Sequence, residues 1–189
     1  MDFDAAGPEI DEDVRSFLLA LARTTIEDRL QGRALPAPEP DAAVLREPRG
    51  AFVTLKIDGR LRGCIGHVIG VAPLWRAVRD NAIAAAFEDP RFAPLELHEL
   101  CDTTIEISVL TPLRVASPEE VTVGRDGILV ERGRARGLLL PQVAVEYGWD
   151  RTTFLDHTCR KAGLEPGCWR HPDTIISVFS AEVFGENAS

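Results

Sequence analysis

Two apolar-alternating runs on either side of Asp58-Gly59 constrain this chain more than any other feature. Val53, Leu55 and Ile57 alternate with Thr54 and Lys56, and on the return Leu61 and Ile65 alternate with Arg62 and Cys64. Period-two alternation flanking an Asp-Gly pair predicts an antiparallel hairpin over residues 51–66, with one face on a core. A two-residue loop pairs Leu55 with Arg62 and mixes the faces. A three-residue loop, Ile57-Asp58-Gly59, pairs Leu55 with Leu61 and gives Gly59 the positive φ that glycine tolerates. The second register is expected. It turns Leu61 and Ile65 toward the core and puts Arg62 and Cys64 together on the opposite face.

The rest of the chain reads as short strands separated by helices. Ile10, Val14, Phe17, Leu18 and Leu21 recur at helical spacing and predict a helix over residues 10–30, stopped at Gly32. Residues 33–48 hold Pro36, Pro38, Pro40 and Pro48, which deny backbone donors and predict an extended connector. A second helix starts near Pro73, buries Leu74, Val78, Ala82 and Ala85 along one stripe, and ends at Asp89-Pro90. Ile105, Ile107 and Val109 alternate with Glu106 and Ser108 in a strand over residues 104–110. Ser117-Pro118-Glu119-Glu120 has the capping-box pattern. Strands follow at 128–131 and 138–140, then a short helix from Pro141 to Tyr147. Asp150 caps a helix closed by Gly163, and residues 175–184 form a last apolar strand. Strands outnumber βαβ units, which favours an α+β fold with a mainly antiparallel sheet and packed helices. The expected organisation is an acidic tail over 1–10, a body over 11–185 of one domain or two small subdomains, and a tail over 186–189.

Composition narrows the function classes. The chain has 189 residues, 21 basic and 30 acidic, for a formal charge of −9. Six of the acids fall within the first thirteen residues, where they favour the positive end of the first helix. No basic surplus marks a nucleic-acid surface, so no nucleic acid is expected. The basic segment Arg132-Gly133-Arg134-Ala135-Arg136-Gly137 reads as a solvated turn, and Trp75, Trp149 and Trp169 as packing anchors. No apolar run nears the roughly 18 residues of a membrane span, and no secretory leader is evident. Cys64, Cys101, Cys159 and Cys168 make no CxxC and read as reduced thiols, which points to the cytoplasm. Cys64 with His67, His98 with Cys101, and Cys168 with His171 have chelating spacing, but no two pairs have the separation of a zinc finger, so no metal is expected.

The candidate site is Arg62-Gly63-Cys64-Ile65-Gly66. Gly63 and Gly66 open the backbone around a thiol, Arg62 is placed to stabilise a thiolate, and His67 is near in sequence as a base. The same segment also reads as a small buried cysteine in a glycine-rich strand. Asp89, Arg91 and Phe92 follow a helix end and form a candidate anion-reading corner, or a structural ion pair. Glu106 and Gln142 complete the ligand-binding candidates, each with a plain structural alternative.

Leu61-Arg62-Gly63-Cys64-Ile65-Gly66 resembles the hallmark of the AMMECR-type domain family. Residues 81–92, from Asn81 through Glu88-Asp89-Pro90-Arg91-Phe92, are similar to its second signature. Residues 138–144 are similar to its third, and residues 159–164 with Trp169 to its fourth. The likeness runs over about residues 11–184. It implies an intracellular α+β protein with an antiparallel sheet and a smaller second subdomain. The family has no established activity, no agreed catalytic residues and no implied cofactor. Prokaryotic members are associated with Memo-type and radical-SAM proteins. His67 stands where the family pattern has Thr or Ser. Two readings follow: a ligand or catalytic groove around Cys64, taking an unknown small molecule, or a non-catalytic adaptor whose motif is structural and whose ligand is a partner protein.

Overall fold

The computed structural model describes residues 10–186. The tails expected at 1–10 and 186–189 lie almost wholly outside the described residues. The elements in chain order are α1 (Glu12–Leu30), α2 (Ala43–Arg46), β1 (Ala51–Ile57), β2 (Arg60–His67), α3 (Leu74–Phe87), β3 (Thr103–Leu110), β4 (Arg114–Val115), β5 (Gly127–Arg132), β6 (Ala135–Leu139), α4 (Pro141–Glu146), α5 (Arg151–Lys161), β7 (Ile175–Phe179) and β8 (Ala181–Gly185). They fall into two compact units, a first up to Leu110 that is rejoined from Glu182, and a second over Thr111–Ala181. Each has its own four-stranded sheet, with orders β2-β1-β3-β8 and β4-β7-β5-β6. The strand pairs resolved in register are antiparallel, so the fold is α+β.

In the first unit, Asp11 caps α1 by accepting from the Val14 amide at 2.9 Å. Val14, Leu18, Leu21, Ala22 and Ile26 then line one buried stripe. Each fully buried Leu or Ile is worth about 1.5–3 kcal/mol of transfer free energy, so this stripe holds the helix to the core. Helix α3 buries Leu74, Val78, Ala82, Ala85 and Ala86 on the same core as Ala51, Val53 and Leu55 of β1. The alanines permit close approach. A Cβ on Gly63 would lie 2.1 Å from the Ala85 carbonyl oxygen, so β2 can run this near α3 only as glycine there. Against that buried face, the opposite side of β1 carries Thr54 and Lys56.

The hairpin is found where expected, but its register differs. Ile57 pairs with Arg60 around a two-residue turn, in which Asp58 and Gly59 both have positive φ, 50° and 71°. This is the mirror-image turn whose twist suits paired strands, and Asp-Gly favours it. The mismatch between the two alternating runs is absorbed instead by a bulge after Leu55. Leu55 therefore pairs with Gly63, and Leu61 with Lys56, rather than Leu55 with Leu61. Arg62 is the extra residue, Leu61 is 43% exposed instead of in the core, and Ile65 packs against the core as expected.

Three further expectations need correction. The proline connector contains a single helical turn, α2, that buries Val44 and Leu45. The last strand divides at Ser180, its two halves entering different sheets. Cys159 and Cys168 form a disulfide rather than free thiols, their Cα atoms 6.0 Å apart. Gly163 and Gly167, at φ 74° and 80°, turn the chain back from the end of α5 and bring Cys168 to Cys159. Both cysteines are buried in the second core with Ile128, Val130, Phe154 and Val178. The capping box is as expected, with Ser117 and Glu120 bonding each other's amides around Pro118–Glu120. No helix among the described residues is long and apolar enough to cross a membrane.

Candidate functional site

Cys64 sits at the edge of the first sheet, because among the described residues β2 has a strand neighbour only on the β1 side. It pairs with Thr54, which pairs in turn with Glu106 of β3, so the three form one row across the sheet. Val53 and Leu55 flank Thr54 and are wholly buried toward the helices. The row is therefore on the other face, away from α3. The Thr54 hydroxyl donates to the Cys64 sulfur at 3.2 Å. Lys56, two residues along the same face, reaches the Glu106 carboxylate at 2.9 Å. Cys64 is a half-buried free thiol, and Cys101 is an exposed one.

The outward edge of Cys64 is held by the turn after α3. Its amide donates to Asp89 Oδ2 at 2.9 Å, and its carbonyl accepts from Arg91 Nη2 at 3.2 Å. The two side chains thus stand in for a neighbouring strand. They are tied together, with Arg91 Nε and Nη2 donating to the two Asp89 oxygens at 2.9 and 2.7 Å. The Asp89 side chain is 2% exposed and that of Arg91 54%. These bonds from Arg91 hold the Asp89 carboxyl well below the usual carboxylate range; burial opposes the shift, and the Cys64 and Arg91 amides reinforce it.

Arg62 serves a different partner. Its Nε and Nη2 form a two-pronged pair with Glu99, both bonds 2.9 Å. The Arg62 hydrogen bonds keep the Glu99 carboxyl at about 2, against burial. The guanidinium carbons of Arg62 and Arg91 lie 6.0 and 5.5 Å from the centre of the Phe92 ring. Gly63 faces α3, and a Cβ on Gly66 would fall 2.4 Å from the Phe52 ring. Protein atoms thus fill the space these two glycines leave.

His67 is on the other side of the strand from Cys64. It pairs with buried Ala51, and its Nδ1 lies 3.2 Å from Asn81 Oδ1 on α3. Three residues along a strand reverse the face, so the imidazole is not the base of this thiol. It borders a separate cleft of about 120 Å³ that also includes Ile69, Val71 and Asn81. Gln142 is exposed in α4 of the second unit. His98 and Cys101 share one short helical turn, and the Cys168 sulfur is taken by its disulfide. Among the described residues, no group of three or more His, Cys, Asp or Glu side chains is placed to hold a metal ion.

Cys64, Asp89 and Arg91 thus meet at the sheet edge, Glu106 lies two strands in on the same face as Cys64, Arg62 pairs with Glu99, and Gln142 is elsewhere. Sequence reasoning missed Thr54, Lys56 and Glu99. The first two had a signal, since they share Glu106's polar face by simple alternation. Glu99 had none, being 37 residues from Arg62.

Comparison with known proteins fits this framework. A protein of Methanothermobacter thermautotrophicus is 49% identical over 178 residues, 90% of this chain and 93% of the relative. One of Pyrococcus furiosus is 46% identical over 182 residues, 90% and 87% of the two chains. The crystal structure of an uncharacterized protein from Pyrococcus horikoshii superposes with a TM-score of 0.76 at 44% identity, covering 91% of each chain. The AMMECR1 family pattern matches residues 19–184. Over nearly its whole length, and in its fold, this chain belongs to the AMMECR1 family.

Proposed function

We propose that the outer face of the first sheet is a ligand site built on the Cys64 thiol. One observation carries this reading: the Cys64 sulfur lies half-buried on the polar face away from the helices and accepts from the Thr54 hydroxyl, on a backbone that buried Asp89 and Arg91 hold in place. Thr54 then fixes the sulfur, and the Lys56–Glu106 pair supplies one positive and one negative group beside it. A small molecule with an electrophilic or hydrogen-bonding centre and charged or polar substituents suits that face. The competing reading is an adaptor. On that view Asp89 and Arg91 protect an exposed sheet edge from stray pairing, and the motif is packing. A cytoplasmic location, and association with Memo-type and radical-SAM proteins, belong to the same proposal and rest on the family resemblance alone.

The test is site-resolved labelling of the folded protein with iodoacetamide at neutral pH, with exposed Cys101 as the internal standard. Labelling of Cys64 in the folded state supports the ligand site. A Cys64 that reacts only after denaturant is added is a structural residue, and the adaptor reading then stands.

A further inference from the structure

The second unit carries a feature that the thiol site does not use. Three rings stack in register at its surface. Trp149 lies on His157 of α5 with ring centres 3.9 Å apart and planes 10° from parallel. Tyr147 lies on Trp149 at 5.0 Å and 18°. His157 and Trp149 are half-buried, but Tyr147 is 68% exposed, so Tyr147 is the ring the stack presents to solvent. Arg160 is one turn along α5 from His157, its Nη1 3.3 Å from His157 Nε2, and Lys161 follows it; both are exposed.

The charge of this unit is not that of the chain. Thr111–Ala181 has nine basic and nine acidic residues, so the net −9 resides wholly in the remainder. Within the unit several acids are engaged, while exposed Glu146 directly precedes Tyr147 in sequence. Glu120, Asp126 and Glu131 pair with Arg114, Arg125 and Arg136. Asp150 caps α5, and Asp156 accepts from the Gly167 amide and the Trp169 indole. Among the described residues, Arg132, Arg134, Arg151, Arg160, Lys161 and Arg170 have no carboxylate within ion-pair distance. A Cβ on Gly137 would lie 2.2 Å from the Ala162 amide, so β6 abuts the end of α5.

We propose that this surface binds single-stranded nucleic acid, one base stacking on Tyr147 and neighbouring phosphates meeting Arg160 and Lys161. An exposed ring accepts any base by stacking, and exposed cations at the His157 end of the same stack meet the backbone; that combination is how unpaired strands are held without sequence preference. The unit as a whole is neutral, so the proposal rests on the local grouping of Tyr147, Arg160 and Lys161 and not on a basic surplus.

The test is fluorescence anisotropy of fluorescein-labelled 15-mers of oligo(dT) and oligo(U) against the full chain, at 50 and 200 mM salt. Saturable binding is expected, weaker for a duplex of the same length. Tyr147→Ala should weaken it about tenfold, the effect of about 1.4 kcal/mol of lost stacking. Tyr147→Phe should retain it. Arg160→Ala and Lys161→Ala should each weaken it and reduce the slope of log affinity against log salt by about 0.7 for every phosphate no longer neutralised. Tyr147 is exposed, so melting curves of its variants should match the parent. The proposal is overturned by an absence of saturable binding at 50 mM salt. It is equally overturned by a Tyr147→Ala variant that binds like the parent, or by AMP binding where the 15-mers do not.

Discussion

Replacing Asp89 should loosen one strand edge before anything else. The carboxylate accepts four bonds: from the Cys64 amide at 2.9 Å, and from the Arg91 amide, Nε and Nη2 at 3.1, 2.9 and 2.7 Å. In Asp89→Ala the half-exposed Arg91 guanidinium turns to water and loses little. The two amides lose their acceptor, and an unsatisfied, partly buried amide costs about 1–3 kcal/mol. The sum is about 3 kcal/mol, at the low end of what breaking a buried pair costs. Asp89→Asn keeps one acceptor oxygen and the shape, so about 2 kcal/mol is expected. The sign with pH follows from the lowered carboxyl. A folded-state value below the unfolded 3.8 gives stability that is present above pH about 4 and is lost as pH falls further, when the unfolded chain takes up the proton first. The gap between Asp89→Asn and the parent should therefore narrow between pH 5 and about 2. Denaturant unfolding gives the magnitude, and segment-resolved hydrogen exchange gives the place, with residues 60–67 losing protection first. If Asp89→Asn costs under about 0.5 kcal/mol, or if exchange rises evenly along the chain, the clamp does not hold Cys64 as argued.

Gly63→Ala should cost about 3 kcal/mol in denaturant unfolding, because its Cβ would meet a helix carbonyl at 2.1 Å and strand and helix must separate. An alanine variant of near-parental stability refutes that close approach. Cys168→Ser should destabilise the second unit by about 3 kcal/mol, the chain-entropy value for a loop closed over a separation of nine residues. The same variant should also raise the free-thiol count under denaturing conditions from two to three. A parental chain that titrates four thiols without reductant refutes the bridge.

Local chemistry was legible where neighbours in sequence are neighbours in space. The Asp150 cap and the Ser117 capping box act within four residues and formed as read, and the Asp-Gly turn formed where expected but with two residues instead of three. The hairpin register was not legible from the strands alone. Two alternating runs and an even turn conflict, and either the loop or the strand has to give. The strand gave, by the bulge at Arg62, and the close approach of Gly63 to the Ala85 carbonyl, 22 positions away, is likewise displayed by no local pattern. The disulfide was hidden for a similar reason: a separation of nine says nothing about distance until two left-handed glycines fold the chain back.

The candidate site shows the same division more sharply. Cys64 and His67 are three residues apart, which on a helix would make them partners and on a strand sets them on opposite faces. The partners of the thiol lie across strands instead: Thr54 at ten residues' distance, and beyond it Glu106 with Lys56. Any chemistry at this edge is therefore that of a hydroxyl, a carboxylate and an ammonium group around a sulfur, not of a cysteine–histidine pair. An edge guard and a thiol mount would make identical bonds from Asp89 and Arg91 to the Cys64 backbone. The side chain separates the two. A guard needs nothing of the sulfur, whereas a site needs it reachable from solvent, past Thr54 and beside an ion pair that a ligand can open.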